Sequence, residues 1–380
     1  MSEKIPKGWK WVKLGEVVTL QRGYDLPKSK MKKGNIPVVG SNGIIGYHNK
    51  ATTKAPGITI GRSGNIGNAY LHKSDFWAHN TTLYVKDFKG NDVIFLFYLF
   101  KNIDFNQLNA GSAVPTLNRN HIYPIEVKIP IRIEDQKAIA EVLSSIDDKI
   151  DLLHRQNKTL EEIAMTLFRQ WFMGDNISND IIELGSLVDI ISGISYKSTD
   201  LNPSTTAMVS LKCFDRNGEF RIDGFKEFTG NYKEQHIVKE GDLIVAHTDI
   251  TQDAEVIGNP AIVISNPKYT KMVISMDIVK VIPKVNWISI EFLYFLMRTR
   301  EFKGHCEGSA NGSTVLHLSK QAIPTFEFKT PKREMVIEFT KQAKELLNKT
   351  FLNQRQILTL IHLRDTLLPK LMSGEVRVKF

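Results

Sequence analysis

The chain has 380 residues, 42% hydrophobic and 24% charged, so it can bury the cores of two or three domains. Its formal net charge of +9 favours a polyanionic partner. Two cysteines are too few for a disulfide framework, and the longest apolar run, residues 93–100, is too short to cross a bilayer. We therefore expect a cytoplasmic protein with no membrane partner.

Residues 1–132 have the pattern of a globule with many turns. Short β-favouring runs alternate with glycine, asparagine and proline, and one longer apolar run has the length of a buried helix. The sequence predicts strands at 36–39, 58–60, 82–85 and 125–129, and a helix at 92–102.

Basic and polar residues in the turns of this globule are candidate DNA contacts. Clustered lysines suit phosphates, although a solvated loop explains them equally well. Arginine and asparagine in glycine-rich loops suit the edges of guanine and adenine, although such residues are also ordinary turn formers. The candidates are Lys28, Lys30, Lys32, Lys33, Ser41, Asn42, Arg62, Ser63 and Asn65.

Enzymatic motifs are incomplete in this chain. The glycine-rich stretch 61–67 lacks the Lys-Ser/Thr ending of a phosphate-binding loop. Residues 126–128 and 327–329 have the Glu-x-Lys form of a nuclease site without an upstream Pro-Asp. No histidine or cysteine spacing fits a metal site. The incomplete motifs therefore give no support for a nuclease, a nucleotide-binding enzyme or a metal site.

Residues 133–175 carry apolar side chains at alternating spacings of four and three, which is the seam of a coiled coil. Asn157 is the one polar member of the seam. The apolar positions that we predict to form a spacer and to bind partners are Ile139, Leu143, Ile146, Ile150, Leu153, Leu160 and Leu167.

The second half of the chain repeats the first. Residues 176–331 have the same order of turns, with Leu184-Gly185 answering Leu14-Gly15 and Ser192-Gly193 answering Arg22-Gly23. Residues 332–380 repeat the seam, and aligning 151–174 with 351–374 gives eight identities without a gap. The corresponding seam positions include Leu346, Ile357, Leu360 and Leu367.

These patterns predict an α+β protein with a pseudo-twofold internal repeat. Two similar globules are separated by a pair of long helices, which must run antiparallel because each leads away from its own globule. The predicted boundaries are 1–132 and 176–331 for the globules, with 133–175 and 332–380 for the helical spacers.

The whole chain resembles the specificity subunit of type I restriction–modification systems. Residues 36–49 and 61–67 are similar to a recurrent target-recognition pattern of that family, and 241–258 resemble another. Residues 135–140 resemble the entry into the family's first conserved helix. At position 247 the family more often has arginine, whereas this chain has histidine.

The resemblance implies a DNA-binding subunit of a restriction system that is not itself an enzyme, with no catalytic residue, no metal and no cofactor bound by this chain. Each globule, or target recognition domain, would read one half of a split, asymmetric target in double-stranded DNA, with His247, Thr248 and Gln252 as contacts in the second globule. The helices would dock two methylation subunits, which bind S-adenosylmethionine. Restriction subunits, which use ATP and Mg²⁺, would complete the complex.

Two other functions fit the same sequence features. One is the specificity subunit of a type IIG-like system, serving a fused nuclease–methyltransferase. The other is a scaffold with two protein-binding heads and no role on DNA.

Overall fold

The computed structural model describes residues 5–105, 116–174, 179–215, 220–250 and 253–378. The chain forms two compact units. Unit 1 combines Met1–Leu153 with Arg355–Phe380, and unit 2 is His154–Gln354. Both mix sheets with helices, so the predicted α+β class is confirmed.

Among its described residues, unit 1 has three small sheets and three short helices around an apolar core. The sheet orders are β1-β9, β2-β8-β5-β6 and β4-β3-β7. Every strand and the helix predicted from this half of the sequence are confirmed. The elements are β1 (Trp9–Lys13), α1 (Leu14–Val17), β2 (Thr19–Arg22), β3 (Ile36–Gly40), β4 (Gly43–His48), β5 (Gly57–Gly61), β6 (Ala69–His72), β7 (Trp77–Ala78), β8 (Thr82–Asp87), α2 (Val93–Lys101), α3 (Arg119–Ile122) and β9 (Glu126–Pro130).

Helix α2 lies at the centre of this core. Asp92 caps its first turn by accepting a hydrogen bond from the Phe95 amide at 2.8 Å. Nearly all of its residues are apolar, and Phe95, Leu96 and Phe100 are fully buried or nearly so. A helix that is apolar on every side must be covered all round, so α2 is a core element and not a surface helix.

The first long helix, α4, spans Ile133–Phe172, and the last, α7, spans Arg333–Ser373. Within unit 1 the early part of α4 packs on the late part of α7, where Ile146, Ile150 and Leu153 meet Ile357. Asp147 of α4 accepts a hydrogen bond from the Arg364 guanidinium at 2.8 Å. The seam is therefore a real packing surface, as the spacing predicts.

Within unit 2 the late part of α4 packs on the early part of α7. Asn353 Nδ2 donates to Asn157 Oδ1 at 2.8 Å, and both side chains are buried. Further along, the rings of Phe168 and Phe339 lie 5.5 Å apart. In each unit, positions early in one helix meet positions late in the other, so the predicted antiparallel pairing is confirmed.

Unit 2 repeats the plan of unit 1 with a second set of elements. Its sheet orders are β10-β22, β11-β19-β15-β17, β13-β12-β18-β14 and β16-β21-β20. The elements are β10 (Ile181–Glu183), β11 (Val188–Ser192), β12 (Thr206–Val209), β13 (Lys226–Glu227), β14 (Ile237–Val238), β15 (Leu243–Ala246), β16 (Thr248–Asp249), β17 (Pro260–Ile262), β18 (Lys271–Ile274), β19 (Ile278–Pro283), α5 (Ile290–Met297), α6 (Arg300–Gly308), β20 (Ala310–Asn311), β21 (Leu316–Leu318) and β22 (Glu327–Lys329).

Matching details show that the repeat is structural. Lys89 donates to the Gly15 carbonyl at 2.6 Å, and Lys284 donates to the Gly185 carbonyl at 2.9 Å. The glycine that follows β2 and the glycine that follows β11 each lie against the carbonyl of a neighbouring segment, at nearly the same distance. A Cβ added to Gly23 would lie 2.1 Å from His79 O, and one added to Gly193 would lie 2.2 Å from Ser275 O. Only glycine fits such an approach, so the predicted correspondence of these glycines is confirmed.

The contacts divide the chain at places other than the predicted boundaries. The helices begin at Ile133 and Arg333, close to the predicted starts at 133 and 332. However, each helix contributes half of its length to either unit, because its two halves pack with different parts of the chain. The predicted division into two globules and two helical spacers stays a prediction.

Candidate nucleic-acid interface

Four lysines form a basic loop in unit 1 between β2 and β3. A single 3₁₀ turn, Lys28–Lys30, follows Pro27, and Lys28, Lys30, Lys32 and Lys33 are all exposed. The loop is held in place because the Lys32 amide donates to His48 Nδ1 at 2.9 Å. Residues 26–35 include no aspartate or glutamate, so no negative charge within this segment offsets the four lysines.

The predicted contacts Ser41 and Asn42 form the turn between β3 and β4. The turn is tight, since Gly40 pairs with Gly43 and Gly43 has a φ of +97°. Ser41 is only 8% exposed, and its amide donates to Thr81 Oγ1 at 3.2 Å. Asn42 is exposed. Asn42 can therefore reach a ligand, whereas Ser41 shapes the turn.

The glycine-rich loop after β5 lies beside that turn. The amides of Arg62 and Ser63 both donate to the Thr81 carbonyl, at 2.8 and 3.3 Å. A Cβ added to Gly61 would lie 3.5 Å from the Ser41 Cβ and far too close to the Asn65 carbonyl. The structure thus brings Ser41, Arg62 and Ser63 together around Thr81.

Arg62 is half-buried in this loop, whereas Asn65 is exposed. Burial lowers the pKa of the Arg62 guanidinium, and the nearby Arg22 lowers it further. The guanidinium stays charged, because an arginine pKa begins above 12. Two cations held near each other form a favourable place for a phosphate or a base-edge acceptor.

Arg22 and Thr81 are members of this site that the sequence analysis missed as binding residues. Arg22 Nε donates to the Asn80 carbonyl at 3.4 Å, and Asn80 Nδ2 donates to Asp25 at 2.6 Å. No periodicity marks these positions, since they come together only when β2 and β8 pair. The repeat offers one signal, because Arg22 precedes the glycine that answers Gly193.

His247 occupies in unit 2 the position that Arg62 has in unit 1. The His247 amide donates to the Asp277 carbonyl at 2.7 Å, and its carbonyl accepts from Leu318 at 2.9 Å. Arg62 makes the same two bonds with Thr81 and Leu117. Arg62 and His247 therefore occupy equivalent places in the two units.

The chemistry at the two equivalent positions differs. Burial lowers the pKa of the His247 imidazole below its usual 6.5, and the neighbouring His317 lowers it further. His247 is consequently neutral at physiological pH and offers one donor and one acceptor. Arg62 offers only donors. The two equivalent places therefore present different hydrogen-bonding groups.

The other two predicted contacts of unit 2 have different outcomes. Thr248 is only 2% exposed, and its hydroxyl donates to Asp277 Oδ1 at 3.0 Å. It also pairs with His317 between β16 and β21. Its accessible surface is too small for a direct ligand contact, so its role here is to position neighbouring strands. Gln252 lies outside the described residues.

The seam residues predicted to bind partners are used inside the helix pair. Five of the residues from α4 and one from α7 are buried, and the others are partly buried. The buried side chains are covered by the rest of this chain, and binding of a separate subunit at these positions stays a prediction. The buried six are Ile139, Leu143, Ile146, Ile150, Leu153 and Ile357, and the partly buried five are Leu160, Leu167, Leu346, Leu360 and Leu367.

The outer faces of the helices carry a repeated set of exposed side chains, which we call the outer stripe. Spacings of four, four and three place its members on one helix face. Ile163 is 45% exposed and its counterpart Leu363 is 43% exposed. One copy lies in unit 2 and consists of Arg155, Thr159, Ile163 and Thr166, and the other lies in unit 1 and consists of Arg355, Thr359, Leu363 and Thr366.

The described parts of the chain contain neither a metal cluster nor a membrane-crossing helix. Within them, no three histidine, cysteine or acidic side chains are grouped so that they could hold a metal ion. No described helix combines the length and apolar character that crossing a membrane needs.

Comparison with known proteins agrees with the resemblance seen in the sequence. Residues 6–162 match the family described as type I restriction modification DNA specificity domain. The MjaIX specificity subunit of a type I restriction enzyme from Methanocaldococcus jannaschii is 23% identical, over 99% of this chain and 95% of its own. The HindI specificity subunit from Haemophilus influenzae is 22% identical, over 70% of this chain and 72% of its own.

A solved structure has the same fold. The crystal structure of a type I restriction–modification S subunit from M. genitalium superimposes with a TM-score of 0.62 at 17% identity, covering 98% of both chains.

Proposed function

We propose that the chain is a specificity subunit of a type I restriction–modification system and that it recognises a bipartite, asymmetric target in double-stranded DNA. The proposal is supported by the match of residues 6–162 to that family's DNA specificity domain and by the full-length similarity to a specificity subunit. Each unit reads one half of the target. Catalysis belongs to partner subunits in the cytoplasm, where methylation subunits bind S-adenosylmethionine and restriction subunits use ATP and Mg²⁺.

One observation carries the DNA proposal. In unit 1 short contacts hold three loops in place. The basic loop is bonded to His48, and the Ser41–Asn42 turn is bonded to Thr81. The glycine-rich loop that contains Arg62 and Asn65 lies against Ser41. Lysines suit the phosphates, while the exposed Asn42 and the arginine Arg62 suit base edges. A preformed surface with both kinds of group is what sequence-specific DNA binding requires.

Binding to duplex DNA at several salt concentrations tests this proposal against the protein-scaffold alternative. We expect affinity to fall linearly on a plot of log affinity against log salt, with a slope set by the number of phosphates contacted. The full complex should also prefer one bipartite sequence over random duplex. Binding that is absent, or independent of salt, would contradict a role on DNA.

We further propose that the two outer stripes dock two methylation subunits. The stripe occurs twice with the same residue types at the same spacing, whereas the seam residues between the stripes are occupied. The two stripes differ only in isoleucine against leucine, and two such similar surfaces suit two copies of one partner. The exposed isoleucine and leucine supply apolar area, and the threonines and arginines supply a polar border.

Native mass spectrometry of the complex with its methylation subunit tests the docking. Ile163→Glu or Leu363→Glu should each remove one methylation subunit, and the double variant should remove both. The matched control is Ile337→Glu, because Ile337 is an exposed apolar residue of α7, 49% exposed, outside the stripe. Two subunits retained by the double variant would exclude the stripe as the docking surface.

A further inference from the structure

Strand β4 of unit 1 exposes three apolar side chains at the edge of its sheet. Ile44 is 57% exposed, Ile45 is 37% exposed and Tyr47 is 55% exposed. Within the described parts of the chain, β4 pairs only with β3. An apolar edge strand without a charged residue is an association site unless a partner covers it, and β4 carries no Lys, Arg, Asp or Glu.

The surroundings of β4 identify the chemistry of what covers it. At its start lies the Ser41–Asn42 turn. At its end the basic loop packs against it, since a Cβ added to Gly46 would lie 2.7 Å from Met31 Sδ and the Lys32 amide binds His48. The three exposed apolar side chains of β4 therefore lie between the exposed Asn42 at one end and the four lysines of the basic loop at the other.

This charge pattern selects duplex DNA as the occupant over a protein. Four lysines without an acidic residue in 26–35 match a phosphate backbone. Strand β4 is the edge of the three-stranded sheet β4-β3-β7, so its exposed side chains are open to a DNA groove. In the major groove the apolar group that bases present is the 5-methyl of thymine.

We infer that Ile44 contacts the 5-methyl group of a thymine in the half-site read by unit 1. Ile44 is the most exposed of the three side chains, and it stands two positions after Asn42. Ile45 is turned towards the protein, since its Cγ2 would lie 2.9 Å from a Cβ on Gly40. The inference rests on the proposed DNA function and adds a residue-level requirement on the target.

Thymine-to-deoxyuridine substitution tests the contact, because it removes the methyl group and leaves base pairing intact. The wild-type complex should lose about three- to fourfold in affinity when one thymine of that half-site is replaced, as expected for one methyl group. Ile44→Ala should bind the thymine and deoxyuridine duplexes equally well. The matched control is Ile131→Ala, since Ile131 is 59% exposed just after the end of β9 and should keep the discrimination.

Several outcomes would overturn the inference. They are a half-site without thymine, a half-site in which no deoxyuridine substitution matters, and an Ile44→Ala complex that still discriminates. Equal weakening by Ile44→Ala on every duplex would show a non-specific role for the side chain. If the wild-type complex bound no duplex at all, the proposed function itself would fail, and the inference with it.

Discussion

Arg62 combines partial burial with a second guanidinium nearby, and this pairing is the most specific feature of the candidate interface. Burial lowers the pKa of the Arg62 guanidinium, and the charge of Arg22 lowers it further. A hydrogen-bond acceptor from DNA would relieve the repulsion between these two cations. Arg62→Ala should cost about 1–3 kcal/mol of binding and relax specificity in one half-site only. Competition assays with single-base target variants measure this effect.

The control for that substitution is Arg132→Ala, because Arg132 is exposed and paired with Glu134 at 3.5 Å, away from the loops. It should leave discrimination unchanged. Specificity that falls equally in both half-sites would contradict the assignment of unit 1 to one half.

The lysines of the basic loop should act through phosphates and not through bases. Changing Lys28 and Lys30 to glutamine should weaken binding on all sequences alike. The slope of log affinity against log salt should fall by about one for each phosphate that is no longer neutralised. Lys54→Gln is the control, because Lys54 is exposed but bonded to Asp75 at 2.7 Å. An unchanged slope would show that the loop is solvated in the complex.

His72 gives unit 1 a pH-dependent stability. Burial lowers its pKa from 6.5 to about 4, and its Nε2 lies 2.8 Å from Thr59 Oγ1. The unfolded chain therefore binds a proton that the folded chain excludes, so stability is full above about pH 6.5 and falls as the pH drops towards 4. The loss is at most about 3 kcal/mol. Urea unfolding of wild type and His72→Gln should differ in pH slope across this window, and identical slopes would contradict the assignment.

At the scale of elements, the polar pair Asn157–Asn353 shows what an internal repeat does and does not predict. Repeat alignment places Asn157 opposite Ile357, so a polar residue answers an apolar one at this point of the seam. In an antiparallel pair, however, later positions of one helix meet earlier positions of the other. Asn157 therefore meets Asn353 and not residue 357. The spacing therefore predicts the seam, but only the pairing direction identifies the partner of each residue.

The asparagine pair should couple strongly in a double-mutant cycle. Asn353→Leu alone leaves the buried Asn157 carbonyl without its donor and should cost about 1–3 kcal/mol. Changing both to leucine should be close to neutral or stabilising, because Asn157 Nδ2 has no hydrogen-bond partner even in the wild type. Urea unfolding measures each variant. Additive losses would show that the two residues do not act as a pair.

The candidate loops were predictable only in part. Glycine-rich turns mark where the chain can approach a ligand, and Asn42 and Asn65 are exposed as a binding role requires. Thr248 shows the limit of this reasoning. Its type and position resemble a contact residue, but the formation of β16 buries it against Asp277. A strand of only two residues leaves no alternating pattern in the sequence. Whether Thr248 is buried or exposed therefore depends on tertiary structure.

At the scale of the molecule, the repeat implies that recognition is divided between independent units. A chimera that takes residues 14–130 from another family member should change one half of the methylated target and leave the other half intact. Methylation mapping in host DNA reads out both halves directly. Changes in both halves would contradict the division.

The two units also differ in the order in which their residues are synthesised. Unit 2 comes from one continuous stretch, His154–Gln354, and its core draws only on residues within that stretch. Unit 1 begins first but needs Leu371 and Met372, which pack with Leu143 in its core. Unit 2 can therefore complete its core once the first half of α7 has been synthesised, while unit 1 needs the second half of the same helix. A growing chain halted in the middle of α7 would still expose the apolar surface of unit 1, which makes that stage the point where chaperones matter most.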